Sequence, residues 1–521
     1  MVYAAIFLLS AVFLLNQYLN QDSHQTTAEL KKHNTNNRGE VKPYLPTNTA
    51  PLLTSESTAL VPQDYFKETT DRIIIKYRDE HHAITPYDAG TAAHALVKHQ
   101  AQLQSILSQS YALRSVQPVR ETLLGSIVWQ LDRHYPIHEL TKLTTLLPKL
   151  DPTIEYAEPD ARVMPTQYIE ENLPDDLPWH LKDQKEGINV YNAWHVAKGR
   201  GITVAVIDTG YLPHPDLLPN IVGGYDMISD AEKSNKNGKM RHADATDPGD
   251  WTGNNECNAG SYGRDSSWHG THVAGTIAAL PNRHLSVSGI AYETKILPVR
   301  ALGKCGGYTS DIADSIVWAA GGSYPGYLLS SVLSKLGLGE EPLPYNPHPA
   351  QVINMSLGGK GACSYTYQNA INIARNRGAS IVVAAGNEAE NVANYRPANC
   401  QGVITVAAYG ADGKRAYYSN FGKEVTVAAP GSNITSTFND GKTVAGNFSY
   451  SNLNGTSMAT PHVAGVVALM LSIKPNLTPD QVTKILVDTA EPFPAGSCDN
   501  GCGAGKLNAA AAVHAAAQLP K

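Results

Sequence analysis

The sequence predicts an α/β protein in which a small α+β domain precedes a larger domain with a mostly parallel sheet. From about residue 200 onward, short apolar runs rich in β-branched residues alternate with helical segments, which is typical of a parallel sheet buried on both faces. Between residues 71 and 160, strand-like and helix-like segments alternate in the order βαβαβ. With 521 residues, of which 42% are hydrophobic, the chain is long enough to form both cores.

The segment before these domains is predicted to direct export. Residues 2–15 are apolar and uncharged, but the run is shorter than the roughly 20 residues that span a bilayer, and it fits the apolar part of a signal peptide. No Lys or Arg precedes it and no A-x-A-like cleavage site follows it. A membrane anchor formed by residues 2–15 is therefore the alternative to a signal peptide over residues 1–20. Residues 21–70, rich in Asn, Gln, Ser, Thr and Pro, are predicted to be a polar linker.

Each predicted element follows from the spacing of its apolar residues. In the small domain, residues 71–161, strands are predicted at 72–79, 126–132 and 153–160, and helices at 94–109 and 138–150. In the larger domain, residues 166–521, strands are predicted at 201–210, 295–302, 350–358, 380–387 and 402–408, and helices at 272–280, 311–320, 367–378 and 457–471. Active sites of parallel sheets lie beyond the carboxyl ends of the strands, so polar residues that follow these strands are candidate site residues.

Charge and cysteine content narrow the classes of function. Lys and Arg total 41 against 47 Asp and Glu, a net charge of -6, and no basic stripe is present, so no nucleic-acid partner is expected. The six cysteines all lie beyond residue 250: Cys257, Cys305, Cys363, Cys400, Cys498 and Cys502. An even number in one domain favours disulfides formed in an oxidising compartment; metal ligation is the rival, although no C-x-x-C pair occurs. Many pairings are possible, and the most local ones are Cys498–Cys502 and Cys363–Cys400, which leaves Cys257–Cys305.

Four residues supply the parts of nucleophilic acyl transfer. Asp208 ends a predicted strand, His269 begins a helix of small residues, and Ser457 opens the last predicted helix. Ser457 would attack a carbonyl, His269 would accept and return the proton, and Asp208 would orient the imidazole. The Ser457 N–H at the helix N-terminus and the Asn387 side chain would stabilise the oxyanion.

Each of these residues has a simpler explanation when it is taken alone. An Asp that ends a strand is often a turn residue, and a Ser before a helix is usually an N-cap. His269 and His272 have the spacing of a helical metal-ligand pair, but no following Glu completes the zincin pattern. The joint occurrence of all the parts favours the catalytic interpretation, with His272 and His462 as packed helix residues.

The motifs around these residues resemble those of the subtilisin-like serine endopeptidases, the subtilase family, in the chain order Asp, His, Ser. They are VIDTG (206–210), HGTHVAGT (269–276), MSLGG (355–359), AAGNE (384–388) and GTSMATPHVAG (455–465). The similarity runs from about residue 175 to 516. Together with the six cysteines, NPHPAQVINMSLGG (346–359) is most similar to the secreted, disulfide-bonded subtilases of Gram-negative bacteria.

The resemblance implies a subtilisin-like three-layer domain and a secreted monomeric zymogen, exported through the periplasm, that hydrolyses extracellular proteins and peptides with broad specificity. Residues 71–161 resemble the family's inhibitory propeptide, which assists folding and is removed by self-cleavage near residues 161–166. The residues expected to line the bound substrate are Ser356, Leu357, Gly358, Ala384, Ala385 and Gly386. The pocket floor is expected within residues 393–399, where Arg396 either admits acidic side chains or points to solvent.

The family also implies structural Ca²⁺ and no catalytic cofactor. Residues 229–251 form an oxygen-rich segment whose candidate ligands are Asp230, Asp244, Asp247 and Asp250. Their spacing is not that of an EF-hand, and a solvated loop is the alternative. A subtilase that binds peptides without cleaving them is the alternative to a protease, although all the catalytic parts are present.

Overall fold

The computed structural model of the protein describes residues 68–78, 89–111, 113–166, 178–182, 186–258, 260–282, 287–322, 343–498 and 500–519. The predicted signal segment or anchor and nearly all of the predicted linker lie outside these residues. The described chain forms an N-terminal domain (residues 68–160), a connecting strand, and a C-terminal domain (residues 178–519).

The N-terminal domain is a four-stranded antiparallel sheet with two helices. Its elements are β1 Thr69–Tyr77, α1 Ala89–Tyr111, β2 Val116–Glu121, β3 Ile127–Pro136, α2 Ile137–Leu150 and β4 Ile154–Pro159. The strand order is β2-β3-β1-β4, and the domain has its own core, which includes Ile73, Trp129 and Leu140. The order βαββαβ corrects the predicted βαβαβ: β2 was not predicted because VQPVRE contains Pro and three charged or amide residues on an irregular pattern.

The connecting strand is β5, Arg162–Pro165, and the C-terminal domain follows it. The domain's elements are α3 Val190–Trp194, β6 Thr203–Asp208, β7 Tyr225–Asp226, α4 Ala231–Ser234, α5 His269–Ala278, β8 Lys295–Arg300, β9 Gly307–Tyr308, α6 Thr309–Ala319, β10 Val352–Met355, β11 Leu357–Lys360, α7 Tyr365–Asn376, β12 Ser380–Ala384, β13 Tyr395–Arg396, β14 Ile404–Tyr409, β15 Val427–Pro430, β16 Ile434–Asn439, β17 Phe448–Leu453, α8 Thr456–Ile473, α9 Pro479–Asp488 and α10 Ala509–Gln518.

A seven-stranded parallel sheet in the order β15-β14-β12-β10-β6-β8-β7 is the centre of the C-terminal domain. Along β6, Val204 and Val206 pack into one hydrophobic cluster, whereas Ala205 and Ile207 pack into another. Because successive side chains of a strand point to opposite faces, the two clusters are the two faces of the sheet. The predicted three-layer α/β architecture is confirmed.

Helix α8 is the central helix of one of these faces. Among the described residues it is the one helix long and apolar enough to cross a membrane, and 89% of its apolar window is buried inside the domain. It therefore acts as a core helix, and its first turn contains the predicted nucleophile, Ser457.

The predicted strand over 350–358 is two strands that belong to different sheets. β10 lies in the parallel sheet, and after Ser356 the chain continues as β11 in a second sheet with the order β13-β11-β5-β9. This second sheet is antiparallel, and it takes the connecting strand between β11 and β9. The two-residue strands β9 and β13 are too short to be predicted from a pattern of alternation.

Candidate active site

The carboxyl end of β6 and the N-terminus of α5 bring Asp208 and His269 together. Both side chains are fully buried, and Asp208 Oδ1 lies 2.7 Å from His269 Nδ1. The same oxygen accepts a hydrogen bond from the Thr209 N–H at 2.7 Å. With its Nδ1 proton held by the carboxylate, the imidazole keeps Nε2 for proton transfer, and Nε2 has no partner among the described residues.

Small residues set the close approach between α5 and the end of β6. A Cβ on Gly270 would lie 2.1 Å from the Gly210 carbonyl oxygen, a distance at which no side chain fits. Trp268, just before the helix, has a φ of 46°, and its indole N–H donates to Gly441. The turn at Trp268 and the glycine contact together fix where His269 enters the site.

Ser457 and Asn387 lie at the N-terminus of α8. Asn387 Oδ1 accepts hydrogen bonds from the Thr456 N–H at 2.9 Å and the Thr456 hydroxyl at 3.0 Å, so its amide group is held in one orientation. Asn387 Nδ2 is buried and has no partner among the described residues. A fixed donor without a partner is suited to charge that develops on a substrate oxygen.

Thr166, directly after the connecting strand, occupies this site. The Ser457 N–H donates to the Thr166 carbonyl oxygen at 3.2 Å, and the Thr166 N–H donates to the Ser356 carbonyl oxygen at 3.3 Å. Ser457 Oγ donates to Ser356 O at 3.0 Å and lies 2.7 Å from Thr166 Oγ1. The serine hydroxyl is thus hydrogen-bonded to Ser356 and Thr166 rather than to His269.

The connecting strand pairs on both edges with the C-terminal domain. Leu357 and Gly358 of β11 pair with Pro165 and Met164, and Tyr308 of β9 pairs with Arg162 on the other edge. An extended peptide therefore completes the antiparallel sheet through main-chain hydrogen bonds, as β-augmentation requires. Ser356, Leu357 and Gly358, which were predicted to contact the substrate, lie along one edge of the connecting strand. Strand β9, which was not predicted, lies along its other edge.

The remaining predicted pocket residues follow β12. Ala384 ends the strand, and Asn420 Nδ2 donates to the Ala385 carbonyl oxygen at 2.9 Å, while the Gly386 N–H donates to the Thr456 hydroxyl at 3.1 Å. Asn420 was not predicted, because an Asn in a loop carries no sequence signal of its own. Its amide links the wall of this pocket to a distant loop.

Two carboxylates of the N-terminal domain cap helices of the C-terminal domain. Asp160 accepts hydrogen bonds from the Ser310 N–H at 3.0 Å and the Ser310 hydroxyl at 2.7 Å, at the start of α6. Glu158 accepts from the N–H groups of Tyr365 and Thr366 at 3.1 and 3.2 Å, at the start of α7. Burial raises the pKa of both carboxyls, that of Asp160 to about 6. These contacts place negative groups at two helix N-termini.

A buried ion cluster adds to this interface. Arg120 of the N-terminal domain pairs with Asp311 at 2.8 Å and Asp314 at 2.7 Å, both on α6. Arg241 of the C-terminal domain pairs with the same two carboxylates at 2.8 and 3.0 Å. Although burial opposes it, the two guanidinium groups hold the pKa of Asp311 below its usual value. Two cations and two carboxylates thus neutralise one another out of water.

Comparison with known proteins assigns the family. The model of the subtilase family matches residues 199–505 of the chain. An extracellular protease of Xanthomonas campestris pv. campestris is 45% identical over 455 residues, which are 86% of this chain and 73% of the relative. The chain belongs to the subtilase family.

Other similarities agree with this assignment. An extracellular basic protease of Dichelobacter nodosus is 38% identical over 463 residues, 86% of this chain and 71% of the relative. The solved structure of a protease from Pseudoalteromonas arctica is similar with a TM-score of 0.60 and 51% identity, over 65% of this chain and 97% of that one. Fervidolysin from Fervidobacterium pennivorans is similar with a TM-score of 0.58 and 25% identity, over 86% of this chain and 61% of that one. The subtilase is a serine endopeptidase, as the sequence predicted.

The four predicted calcium ligands of the subtilase do not form one site. Asp230 caps α4, Asp244 accepts from Thr246, and Asp250 accepts from both the N–H and the hydroxyl of Ser267. Each of these three carboxylates therefore accepts hydrogen bonds within a separate part of the structure. In the described part of the chain no group of three or more His, Cys, Asp or Glu could hold a metal ion. A structural Ca²⁺ stays a prediction, but the prediction that these four residues together bind it is not met, because they do not come together in one group.

Asp247 is the exception among these four carboxylates. Its Oδ2 is buried without a hydrogen-bond partner among the described residues, and burial together with the neighbouring Asp250 raises its pKa to about 7. Asp247 and Asp250 are neighbouring carboxylates, and among the described residues no third Asp, Glu, His or Cys joins them in a group that could hold a metal ion.

The two histidines that were predicted to be packed helix residues, His272 and His462, are buried in the core. Burial lowers the pKa of His272 to about 3 and that of His462 to about 4, so both are neutral core residues. His462 Nε2 lies 2.7 Å from His180 Nδ1, a contact inside the domain.

The six cysteines form three disulfides, which join Cys257 to Cys305, Cys363 to Cys400, and Cys498 to Cys502.

Proposed function

We propose that this subtilase is a secreted protease made as an inactive precursor, and that it cleaves itself after Thr166. The observation that supports this most directly is the hydrogen bond from the Ser457 N–H to the Thr166 carbonyl oxygen at 3.2 Å. A carbonyl in that position is oriented as a scissile carbonyl is in acyl transfer. The N-terminal domain is then the propeptide, and Thr166 is the residue before the scissile bond, at the end of the range 161–166 expected from the sequence.

The chemistry follows from Asp208, His269 and Ser457. The Ser457 hydroxyl rotates from Ser356 toward His269 Nε2, gives up its proton there, and its oxygen bonds to the Thr166 carbonyl carbon. The oxyanion accepts hydrogen bonds from the Ser457 N–H and from Asn387 Nδ2. His269 then protonates the leaving amine of residue 167, and Asp208 stabilises the imidazolium formed in between. Water, activated by His269, hydrolyses the acyl-enzyme by the same steps.

After cleavage the N-terminal domain would remain bound and inhibit the enzyme. The caps by Glu158 and Asp160 and the ion pairs of Arg120 lie outside the cleft, so breaking the chain after Thr166 removes none of them. The connecting strand would also keep its pairing with β11 and β9. Activity then depends on release or degradation of the N-terminal domain.

The proposed substrates are extracellular proteins and peptides bound as extended strands. Two relatives are named extracellular proteases, and three disulfides are consistent with an oxidising compartment. Because the connecting strand is held mainly by its backbone, many sequences can occupy the cleft, which supports broad specificity.

Replacing Ser457 by Ala tests self-cleavage and the catalytic serine together. We expect the wild-type chain to yield a product whose first residue is Gln167, whereas Ser457→Ala stays uncut when both are made in a protease-deficient host. Ser472→Ala, a serine on the same helix with its hydroxyl bonded to Leu469 O, is the matched control and should be processed normally. Cleavage of the Ser457→Ala chain at the same bond would contradict self-cleavage. A wild type that stays uncut and fails to react with a serine-directed fluorophosphonate would instead favour a protein that only binds peptides.

A further inference from the structure

We propose that Arg396 selects substrates carrying a carboxylate several residues before the scissile bond, on the face of the bound strand shared by positions P4 and P6. This inference rests on the proposed function, because it takes Thr166 as P1 and therefore Val163 as P4. It goes beyond the two expectations for Arg396 from the sequence: with the N-terminal domain bound the residue is only 8% exposed, so its side chain does not point to solvent, and its partner on β11 lies opposite P4 rather than P1.

The sheet places Arg396 in one row with the P4 residue. Arg396 of β13 pairs with Gly359 of β11, and Val163 of the connecting strand pairs with Gly307 of β9. Continuing the antiparallel register between β11 and β5 by one residue sets Gly359 opposite Val163, and a Cβ on Gly359 would lie 3.4 Å from Val163 Cγ1. Residues paired across strands point to the same face, so Arg396 and the P4 side chain share a face with only a glycine between them.

A carboxylate already occupies this position in the precursor. Glu68 of the N-terminal domain pairs with Arg396, with Oε1 3.4 Å from the guanidinium nitrogen. Burial raises the pKa of Glu68, and the charges of Arg396 and Arg162 together with the N–H of Arg162, the P5 residue, oppose that rise. A negative group beside the main chain at P5 therefore fits between the bound strand and Arg396.

Loss of the N-terminal domain would leave this guanidinium without its carboxylate. Among the described residues, Glu68 is the acid that pairs with Arg396, and Arg396 Nε has no hydrogen-bond partner. The side chain has little freedom to turn away, because it passes Gly361 so closely that a Cβ there would lie 2.0 Å from its Nη1. When a bound substrate strand covers Arg396 again, its charge would be costly without a partner, so a substrate carboxylate that restores the pair gains binding energy.

The proposed preference covers both P4 and P6, because their side chains lie on the same face of the bound strand. In an extended strand alternate side chains point the same way, so the P4 and P6 side chains both lie on the face of Arg396, and the P5 side chain lies on the other. Acidic residues at P4 or P6 should be preferred, and an acidic residue at P5 should bring little.

Peptides that differ only in Glu or Gln at one position test the proposal with the processed enzyme. All peptides carry Thr at P1, and Glu replaces Gln in turn at P4, P5 and P6. For the wild type we expect kcat/KM to be about tenfold higher for Glu than for Gln at P4 or P6, mainly through KM, and the ratio to fall at raised salt. In Arg396→Gln the ratio should fall to about one, and Arg396→Lys should retain part of it.

The ratio of the two peptides is informative whatever the variant's overall activity. A wild-type ratio within about twofold at both P4 and P6 would overturn the proposal without any variant. A preference that survives in Arg396→Gln would also overturn it, because another residue would then be responsible. Failure of the wild type to cleave any of the peptides would instead count against the proposed protease function.

Discussion

Replacing Arg120 by Met should release the processed enzyme from inhibition by the N-terminal domain. The Arg120 side chain is 2% exposed and pairs with Asp311 at 2.8 Å and Asp314 at 2.7 Å. Met keeps the apolar part of the side chain but removes the charge. The carboxylates of Asp311 and Asp314 would then be buried in the interface without the Arg120 guanidinium. Removing one member of a buried ion pair typically costs about 3–5 kcal/mol.

Arg241 reduces this cost, since it contacts both carboxylates at 2.8 and 3.0 Å. We therefore expect a loss of about 2–4 kcal/mol in binding, which corresponds to an inhibition constant raised by about 30- to 1000-fold. The C-terminal domain alone is unaffected by the substitution, because Arg120 belongs to the part that dissociates.

Titration of the processed enzyme with the N-terminal domain, followed by hydrolysis of a small peptide, measures this constant. Arg114→Met is the matched control, because Arg114 is exposed on the same domain and should leave the constant nearly unchanged. An inhibition constant for Arg120→Met within about threefold of the wild type would refute the reasoning. It would mean that the ion cluster contributes nothing net to association, as happens when desolvation cancels attraction.

Four further predictions concern the site and its inhibitor. Asn387→Leu should lower kcat by about 10²–10³, which is the loss known for the corresponding donor in subtilisin. Thr456→Val should lower kcat by about fivefold with little change in KM, because the substitution removes one of the two hydrogen bonds that hold the Asn387 amide. Gly270→Ala should lower both kcat/KM and the melting temperature, with about 1–3 kcal/mol of destabilisation, because its Cβ would meet the Gly210 carbonyl oxygen at 2.1 Å. Inhibition by the N-terminal domain should be about tenfold tighter at pH 5 than at pH 7: burial raises the pKa of Asp160 to about 6 in the complex, so the complex takes up a proton as the pH falls through 6 and binding strengthens.

Three of these predictions have a conservative control. Thr456→Ser keeps the hydroxyl and should restore most of kcat; equal losses for Val and Ser would show that the hydroxyl does not orient the amide. Gly253→Ala has ordinary space for its Cβ, 3.5 Å from the nearest atom, and should be neutral. In Asp160→Asn the pH dependence of inhibition should shrink, and an unchanged dependence would assign it to other groups.

The fold of the C-terminal domain was predictable because its strands are apolar on both faces. Runs such as residues 204–208 and 404–409 are buried throughout, so sequence hydrophobicity alone marks them. The same signal failed at residues 350–358, where the pattern continues without a break although the chain changes sheets at Ser356. It also failed for β2, whose partly exposed residues give no alternation.

The residues of the candidate active site could be recognised for a different reason, since their motifs combine a reactive side chain with small neighbours that close packing requires. Gly270 illustrates this, because its contact with the Gly210 carbonyl leaves no room for a side chain. Asn420 and the strand β9 were not predictable, because their contributions come from a long-range amide contact and from main-chain pairing. Neither depends on a residue type that the sequence would reveal.

In the proposed precursor, cleavage and inhibition depend on different contacts. Cleavage requires the carbonyl of Thr166 beside Ser457, and any extended peptide along β11 can present such a carbonyl. Inhibition requires that the product stays, and the contacts that hold it are the helix caps by Glu158 and Asp160 and the ion pairs of Arg120, all of them outside the cleft. A substrate lacks these contacts and leaves once its bond is cut. The same site can therefore be inhibited by its own N-terminal domain and still turn over other chains, with no change in the catalytic residues.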